Sequence, residues 1–158
     1  MSARVDTSVA VVERAFVAVM ARDHAAQEEI FHPDLDLLWP PSLSSSSRTG
    51  ERRPTWEETW DPLQPTAAER DMSPRVVAAN EDGEVVVLWR QRGVRDDGAR
   101  IECPVLGLYR VEDGRLVRGQ MFYFDTVAVL DFLRGAGVDA AAGPPHDPMN
   151  RGGAMPTS

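Results

Sequence analysis

The stretch from Gly107 to Asp125, GLYRVEDGRLVRGQMFYFD, decides the fold. Two β-rich runs flank its Asp113-Gly114 pair, and an Asp-Gly pair between such runs is a strong signal for a β-hairpin. Further Asp-Gly pairs at positions 82–83 and 97–98 divide the preceding sequence in the same way. We therefore predict a four-stranded antiparallel meander with strands at 76–79, 85–91, 101–111 and 116–124.

Helical patterns surround this meander. Val9, Val12 and Phe16 recur at helical spacing and predict a helix over 8–22. Shorter elements are predicted at 24–31 (helix), 35–39 (strand), 55–60 (helix) and 126–133 (helix), with a flexible loop over 41–54 that could cover a pocket. The sequence thus predicts one α+β domain over 8–134, a flexible segment over 1–7 and a disordered Gly-, Pro- and Ala-rich tail over 135–158.

Composition excludes several classes of function. The formal net charge of -8 opposes binding to nucleic acid or to an anionic membrane. No lysine is present for Schiff-base chemistry, and the single Cys103, which we expect to be buried, cannot form an intrachain disulfide. Neither a membrane-spanning run nor a signal-peptide pattern is evident, so the cytoplasm is the expected compartment.

Asp125 is a carboxylate that follows three aromatic residues, Phe122, Tyr123 and Phe124, at a strand-to-helix junction. Burial there would raise its pKa and suit it to proton transfer near neutral pH. Asp is also a preferred helix N-cap, and the apolar period of the last helix begins just after it. Both roles remain open from the sequence.

Strand alternation predicts which side chains accompany Asp125. It places Met121 and Tyr123 with Asp125 on one face, which we expect to line a pocket, and Tyr109 is a candidate hydroxyl donor on the neighbouring strand. Arg90 lies among apolar neighbours and needs a partner. An ion pair between Arg90 and Asp125 would satisfy both groups, but it would lower the carboxyl pKa instead of raising it.

The order of elements resembles the cone-shaped α+β fold of nuclear transport factor 2-like proteins, a curved antiparallel sheet packed on helices. At residue level, the stretches 39–43 (WPPSL) and 107–125 resemble the SnoaL-like branch of that superfamily, which includes polyketide cyclases, limonene-epoxide-hydrolase-like enzymes and ketosteroid isomerase. The resemblance implies cofactor-independent chemistry in an apolar pocket and a homodimer formed through the exposed sheet face.

The same resemblance argues against two particular mechanisms. The tyrosine and aspartate of ketosteroid isomerase correspond to Phe16 and Trp39, which cannot perform its proton transfers. In the Asp-Arg-Asp trio of limonene epoxide hydrolase, Asp125 matches one aspartate and Arg90 the arginine, but Arg92 replaces the second aspartate. An arginine stays protonated at neutral pH and cannot act as the general acid.

We therefore expect a SnoaL-like cyclase, isomerase or hydrolase that acts on a small apolar natural-product-like molecule, typical of secondary metabolism. Asp125 would be the base, with Arg90 or Tyr109 as the electrostatic helper. The expected substrate-binding residues are Phe16, Trp39, Trp56, Trp60, Trp89, Met121 and Tyr123. We predict no metal site, because neither His24 nor His32 has metal-ligand spacing to carboxylates, and the resemblance implies no cofactor. The alternative is a non-catalytic ligand-binding or dimerisation module of the same fold.

Overall fold

The computed structural model describes residues 2–43 and 54–138, in which a five-stranded sheet packs against helices. The strands lie in the order β1-β5-β4-β3-β2. They are β1 Phe31–Leu38, β2 Arg75–Ala79, β3 Glu84–Val94, β4 Arg100–Glu112 and β5 Arg115–Tyr123. The helices are α1 Ala3–Met20, α2 His24–Ile30, α3 Trp56–Trp60, α4 Ala67–Arg70 and α5 Thr126–Gly135.

The predicted meander is confirmed, since β2, β3, β4 and β5 pair antiparallel in sequence order. At the β4–β5 turn, Asp113 has φ 48° and Gly114 has φ 75°. Positive φ at both central residues is the requirement of a type I′ hairpin turn, which explains the Asp-Gly pair.

The first strand departs from the prediction in extent and in direction. It starts at Phe31, directly after α2, and it pairs parallel to β5, so the sheet is mixed and not wholly antiparallel. The register shifts between Phe31 and Asp36. Pro33 lies within this irregular part, where it has no N–H to donate to the ladder.

The amino-terminal segment is helical where flexibility was predicted. Helix α1 begins at Ala3, and the Ser2 hydroxyl accepts a hydrogen bond from Val5 N at 3.3 Å. A serine cap satisfies one of the free N–H groups at a helix start. The expectation of a flexible segment is therefore wrong for residues 3–7.

Two other predicted irregular segments are partly ordered. Pro41–Leu43 forms a 3-10 helix whose Leu43 is buried, while predicted-loop residues 44–53 lie outside the described residues. At the other end, Gly135 belongs to α5, and Val138 N donates to Leu133 O at 2.9 Å. The predicted tail is therefore ordered through residue 138, and its remainder lies outside the described residues.

Two clusters of buried residues form the core. The larger lies between α1 and the inner sheet face, where odd-numbered residues of β3 such as Val85, Val87 and Trp89 point. The smaller lies under α5 and contains Trp60, Phe132 and Cys103, whose predicted burial is confirmed. Helix α1 contributes Val11, Val12, Ala15, Phe16 and Ala18 to the larger cluster.

Candidate functional site

A cavity of about 580 Å³ opens between the inner face of the sheet and helices α1, α2 and α3. Its walls are mainly apolar and aromatic, as is usual for small-molecule sites. The lining residues are Ala15, Phe16, Val19, His24, Gln27, Phe31, Leu35, Leu37, Trp39, Thr55, Trp56, Glu57, Glu58, Asp61, Met72, Trp89, Tyr109, Leu116 and Met121.

Three tryptophans form one wall of the cavity. The rings of Trp39 and Trp56 are nearly parallel, 9° apart, with centroids at 6.4 Å, and Trp89 meets Trp56 edge-on at 6.4 Å. Trp56 reaches this position because Thr55 caps α3 and forms a reciprocal capping box with Glu58. The wall presents flat apolar faces, so it suits a flat apolar ligand.

On the sheet side of the cavity, Tyr109 fits over two positions that lack side chains. A Cβ at Gly107 would lie 2.5 Å from its Cζ, and one at Gly119 would lie 3.1 Å from its Cδ1. Phe16 packs edge-on against the same ring at 5.5 Å. Burial raises the pKa of Tyr109 well above its usual range, so the hydroxyl keeps its proton at neutral pH and can donate it in a hydrogen bond.

Gln91 joins Trp56 of the wall to Tyr123 behind it. Its Oε1 accepts hydrogen bonds from Trp56 Nε1 at 3.0 Å and from the Tyr123 hydroxyl at 3.2 Å, and its side chain is fully buried. Burial also raises the pKa of Tyr123. Gln91 was not among the predicted site residues, although it continues the buried odd-numbered face of β3 after Val87 and Trp89 and is the polar exception there.

The rim of the cavity carries its charged groups. His24 Nε2 lies 2.8 Å from Glu57 Oε1, and the same oxygen lies 3.5 Å from Arg22 Nε. Arg22 Nε is also 2.7 Å from Asp61 Oδ1. The His24 side chain is 71% exposed while that of Glu57 is 19% exposed, so this pair stands where the cavity meets solvent. No spacing or periodicity in the sequence indicates that residues 24 and 57 lie together.

Asp125 does not occupy the buried position expected of it. It is exposed, lies outside the lining of the cavity, and accepts a hydrogen bond from Ala128 N at 2.9 Å as the N-cap of α5. Strand β5 ends at Tyr123, so the alternation that places Met121 on the inner face does not extend to residue 125. The structure thus shows the capping interaction, and the premise of a buried carboxylate is wrong.

Arg90 also lies away from the cavity. As an even-numbered residue of β3 it points to the outer sheet face, where its Nη1 is 2.9 Å from Glu102 Oε1. The expected ion pair with Asp125 is therefore not formed. Arg92 likewise contacts Glu102, at 3.4 Å, so neither arginine of the epoxide-hydrolase comparison lines the site.

Six of the predicted ligand-contacting or catalytic side chains do meet at the cavity, namely Phe16, Trp39, Trp56, Trp89, Tyr109 and Met121. Trp60 does not, because it stacks on Phe132 at 6.0 Å in the smaller core cluster. Tyr123 stands behind the wall and touches the rings of Trp39 and Trp89 at 6.3 and 6.0 Å.

Within residues 2–43 and 54–138, no group of three or more His, Cys, Asp or Glu side chains is placed to hold a metal ion. Over the same residues, no helix combines the length and apolar character needed to cross a membrane.

Comparison with solved structures defines the class of fold. IdmH, a proposed polyketide cyclase from Streptomyces antibioticus, superposes with a TM-score of 0.58 at 17% identity, covering 81% of this chain and 98% of that one. A proposed SnoaL-like polyketide cyclase from Jannaschia sp. CCS1 gives 0.59 at 19% identity, covering 92% and 98%. TerC, crystallised with polyporic acid, gives 0.57 at 16% identity, covering 81% and 98%. These likenesses show the nuclear transport factor 2-like fold.

The family follows from the sequence itself, because the SnoaL-like domain matches residues 12–119. The chain therefore belongs to the SnoaL-like family, as its residue-level resemblance predicted. A search of curated proteins found no match.

Proposed function

We propose that the chain is a cofactor-independent SnoaL-like enzyme that transfers a proton on a small, flat, mostly apolar molecule bound in the aromatic cavity. The observation that carries this proposal is the cavity of about 580 Å³ with near-parallel Trp39 and Trp56 at one wall. Its size and lining are those of a small-molecule site. Proton transfer, as in a cyclase or isomerase, fits better than epoxide opening, because Arg90 and Arg92 lie outside the cavity.

The proton acceptor that we favour is His24. It lines the cavity, and Glu57 at 2.8 Å can fix its ring by accepting the Nε2 proton, which leaves Nδ1 as the basic atom. Histidine is the side chain that most often acts as a general base in enzymes. Asp125 is the weaker candidate, because it lies outside the lining of the cavity and its carboxylate caps α5.

A substrate analogue tests both parts of this proposal. We expect 2-tetralone, a flat bicyclic ketone with acidic C–H groups, to bind in calorimetry and to exchange its α-protons for deuterium in D2O faster with the protein than without it. His24→Gln should slow the catalysed exchange by about 100-fold. Asp125→Asn is the matched control and should leave the exchange rate unchanged. Loss of exchange in Asp125→Asn with retention in His24→Gln would reverse the assignment.

A non-catalytic ligand-binding module is the second candidate, favoured by the exposure of Asp125 and its place outside the cavity. It predicts that 2-tetralone binds without any acceleration of exchange.

A homodimer is part of both proposals. It is supported by an apolar patch on the outer sheet face, where Leu106 pairs with Phe122 across β4 and β5 and the two residues are 41% and 50% exposed.

A further inference from the structure

The side chain of Gln91 is a fully buried amide on a strand face that is otherwise apolar. It follows Val85, Val87 and Trp89 on the inner face of β3. Burying an amide lowers the stability of a protein unless its polar atoms are hydrogen-bonded, whereas a hydrocarbon side chain has no polar atoms to satisfy. The hydrogen bonds of Gln91 therefore make an amide stable at this position, and they identify the groups on which it acts.

Two of these hydrogen bonds converge on one atom. Gln91 Oε1 accepts from Trp56 Nε1 at 3.0 Å and from the Tyr123 hydroxyl at 3.2 Å. An indole N–H can only donate, so the oxygen of the amide, and not its nitrogen, must face Trp56. Of the two partners, Trp56 lines the cavity, while Tyr123 lies behind the wall. Gln91 can therefore act on the shape of the cavity through the Trp56 indole.

The other contacts of the Trp56 ring are made with its faces. Trp39 lies nearly parallel to it at 6.4 Å, and Cζ of Arg22 lies 5.6 Å from the ring centroid. A contact with a ring face allows the ring to slide, whereas an N–H···O bond is directional and weakens steeply when it is bent. Helix α3, which begins with Trp56, has five residues, and a helix this short depends on tertiary contacts. The bond to Gln91 thus fixes the edge of the ring relative to the sheet.

We infer that Gln91 is a positioning residue that holds the Trp56 ring parallel to Trp39 and thereby makes the cavity selective for flat ligands over puckered ones. A flat ligand contacts the whole face of an indole ring only while that ring is held in place, whereas a puckered ligand touches it at fewer atoms and loses less when the ring turns. Holding the ring before the ligand arrives also lowers the ordering cost of binding. This inference rests on the proposed function, because it requires that the cavity be the ligand site.

Two ligands with the same carbon skeleton and hydroxyl group separate flatness from apolar size, since 2-naphthol is flat and trans-decahydro-2-naphthol is puckered. Gln91→Met removes the acceptor, and benzothienylalanine in place of Trp56 removes the donor while keeping the ring shape. By calorimetry, each change should lower the ratio of 2-naphthol affinity to decahydronaphthol affinity about fivefold, which is within the range of one aromatic contact. Tyr123→Phe is the matched control, because it removes the other bond to the same oxygen, and it should keep that ratio within about twofold of the wild-type value.

NMR spectroscopy gives a second readout of the bond itself. The indole N–H signal of Trp56, identified by its loss with benzothienylalanine, should move upfield in Gln91→Met and move less in Tyr123→Phe. An unchanged affinity ratio when the bond is removed, an equal fall in Tyr123→Phe, or an unmoved N–H signal would overturn this inference alone. Failure of both ligands to bind the wild-type chain would overturn the proposed function, and this inference with it. Retained decahydronaphthol binding shows that a variant is folded, and if Gln91→Met does not fold, the benzothienylalanine variant decides.

Discussion

Replacing Gly107 with alanine should expel the Tyr109 ring from its position on the sheet. The new Cβ would lie 2.5 Å from Cζ of Tyr109 and nearer still to its Cε2 and hydroxyl oxygen. Displacement of the ring costs packing contacts, because the Tyr109 residue is 7% exposed and its ring packs edge-on against Phe16 at 5.5 Å. Overpacking of this kind costs about 1–3 kcal/mol, and the closeness of three ring atoms places Gly107→Ala near 3 kcal/mol.

Urea unfolding followed by tryptophan fluorescence measures this cost as a change in midpoint at constant m-value. Gly119→Ala is the graded control. Its Cβ would lie 2.9 Å from Leu37 Cδ2 and 3.1 Å from the Tyr109 ring, so about 1 kcal/mol is expected. Neither glycine has a positive φ, so backbone strain does not enter the comparison.

A double-mutant cycle identifies the clash as the cause. Tyr109→Ala removes the ring and should itself cost about 3–5 kcal/mol. In the Tyr109→Ala variant, the new Cβ at position 107 has no ring to clash with, so Gly107→Ala should change the unfolding free energy by less than about 0.5 kcal/mol. If Gly107→Ala costs the same with and without the Tyr109 ring, the glycine does not position the tyrosine and the reasoning is refuted.

Three further predictions concern the cap, the tyrosines and the outer sheet face. Asp125→Ala should lower the unfolding free energy by about 1 kcal/mol while Asp125→Asn, which retains capping ability, leaves it within about 0.5 kcal/mol; equal losses would contradict the cap. Burial raises the pKa of Tyr109 and of Tyr123, which are the only tyrosines of the chain. The tyrosinate absorbance of the folded chain should therefore not rise as the pH passes about 10, whereas that of the urea-unfolded chain should rise there. The unfolded chain then releases protons that the folded chain keeps, so the unfolding free energy should fall above about pH 10, and a folded-state titration near 10 would contradict the burial. Light scattering should give twice the 17.4 kDa chain mass, and Phe122→Glu, at a residue 50% exposed, should return the monomer; a wild-type monomer would refute the dimer.

The meander could be predicted from sequence because its signals are local. An Asp-Gly pair specifies positive φ within two residues, and the alternation in Val85, Val87 and Trp89 specifies one buried face within a single strand. The parallel pairing of Phe31–Leu38 with β5 depends instead on residues more than 80 positions apart. No pattern inside either strand encodes it, so only the fold resemblance could have suggested the contact.

In the candidate site too, features set within one element could be predicted, whereas contacts between elements could not. Trp56 and Trp89 could be predicted to share an aromatic pocket, because aromatic residues on inner faces collect in the core. The error at Asp125 arose from extending strand alternation two residues beyond the end of β5, where the chain turns to begin α5. The His24 and Glu57 pair was missed because it joins two helices whose approach is set by tertiary packing alone.

The distribution of polar groups along the cavity bears on both the substrate and its orientation. Carboxylates stand at the rim, where Arg22 pairs with Glu57 and Asp61, while apolar and aromatic side chains such as Met121 and Trp89 line the sheet side. An anionic ligand would have to pass the rim carboxylates of a chain with formal net charge -8. A neutral ligand meets no such barrier, and its apolar body gains most where water is excluded, against the tryptophan wall and Phe16. A polar end of the ligand would then lie nearest the rim, on the side of His24, which lines the cavity.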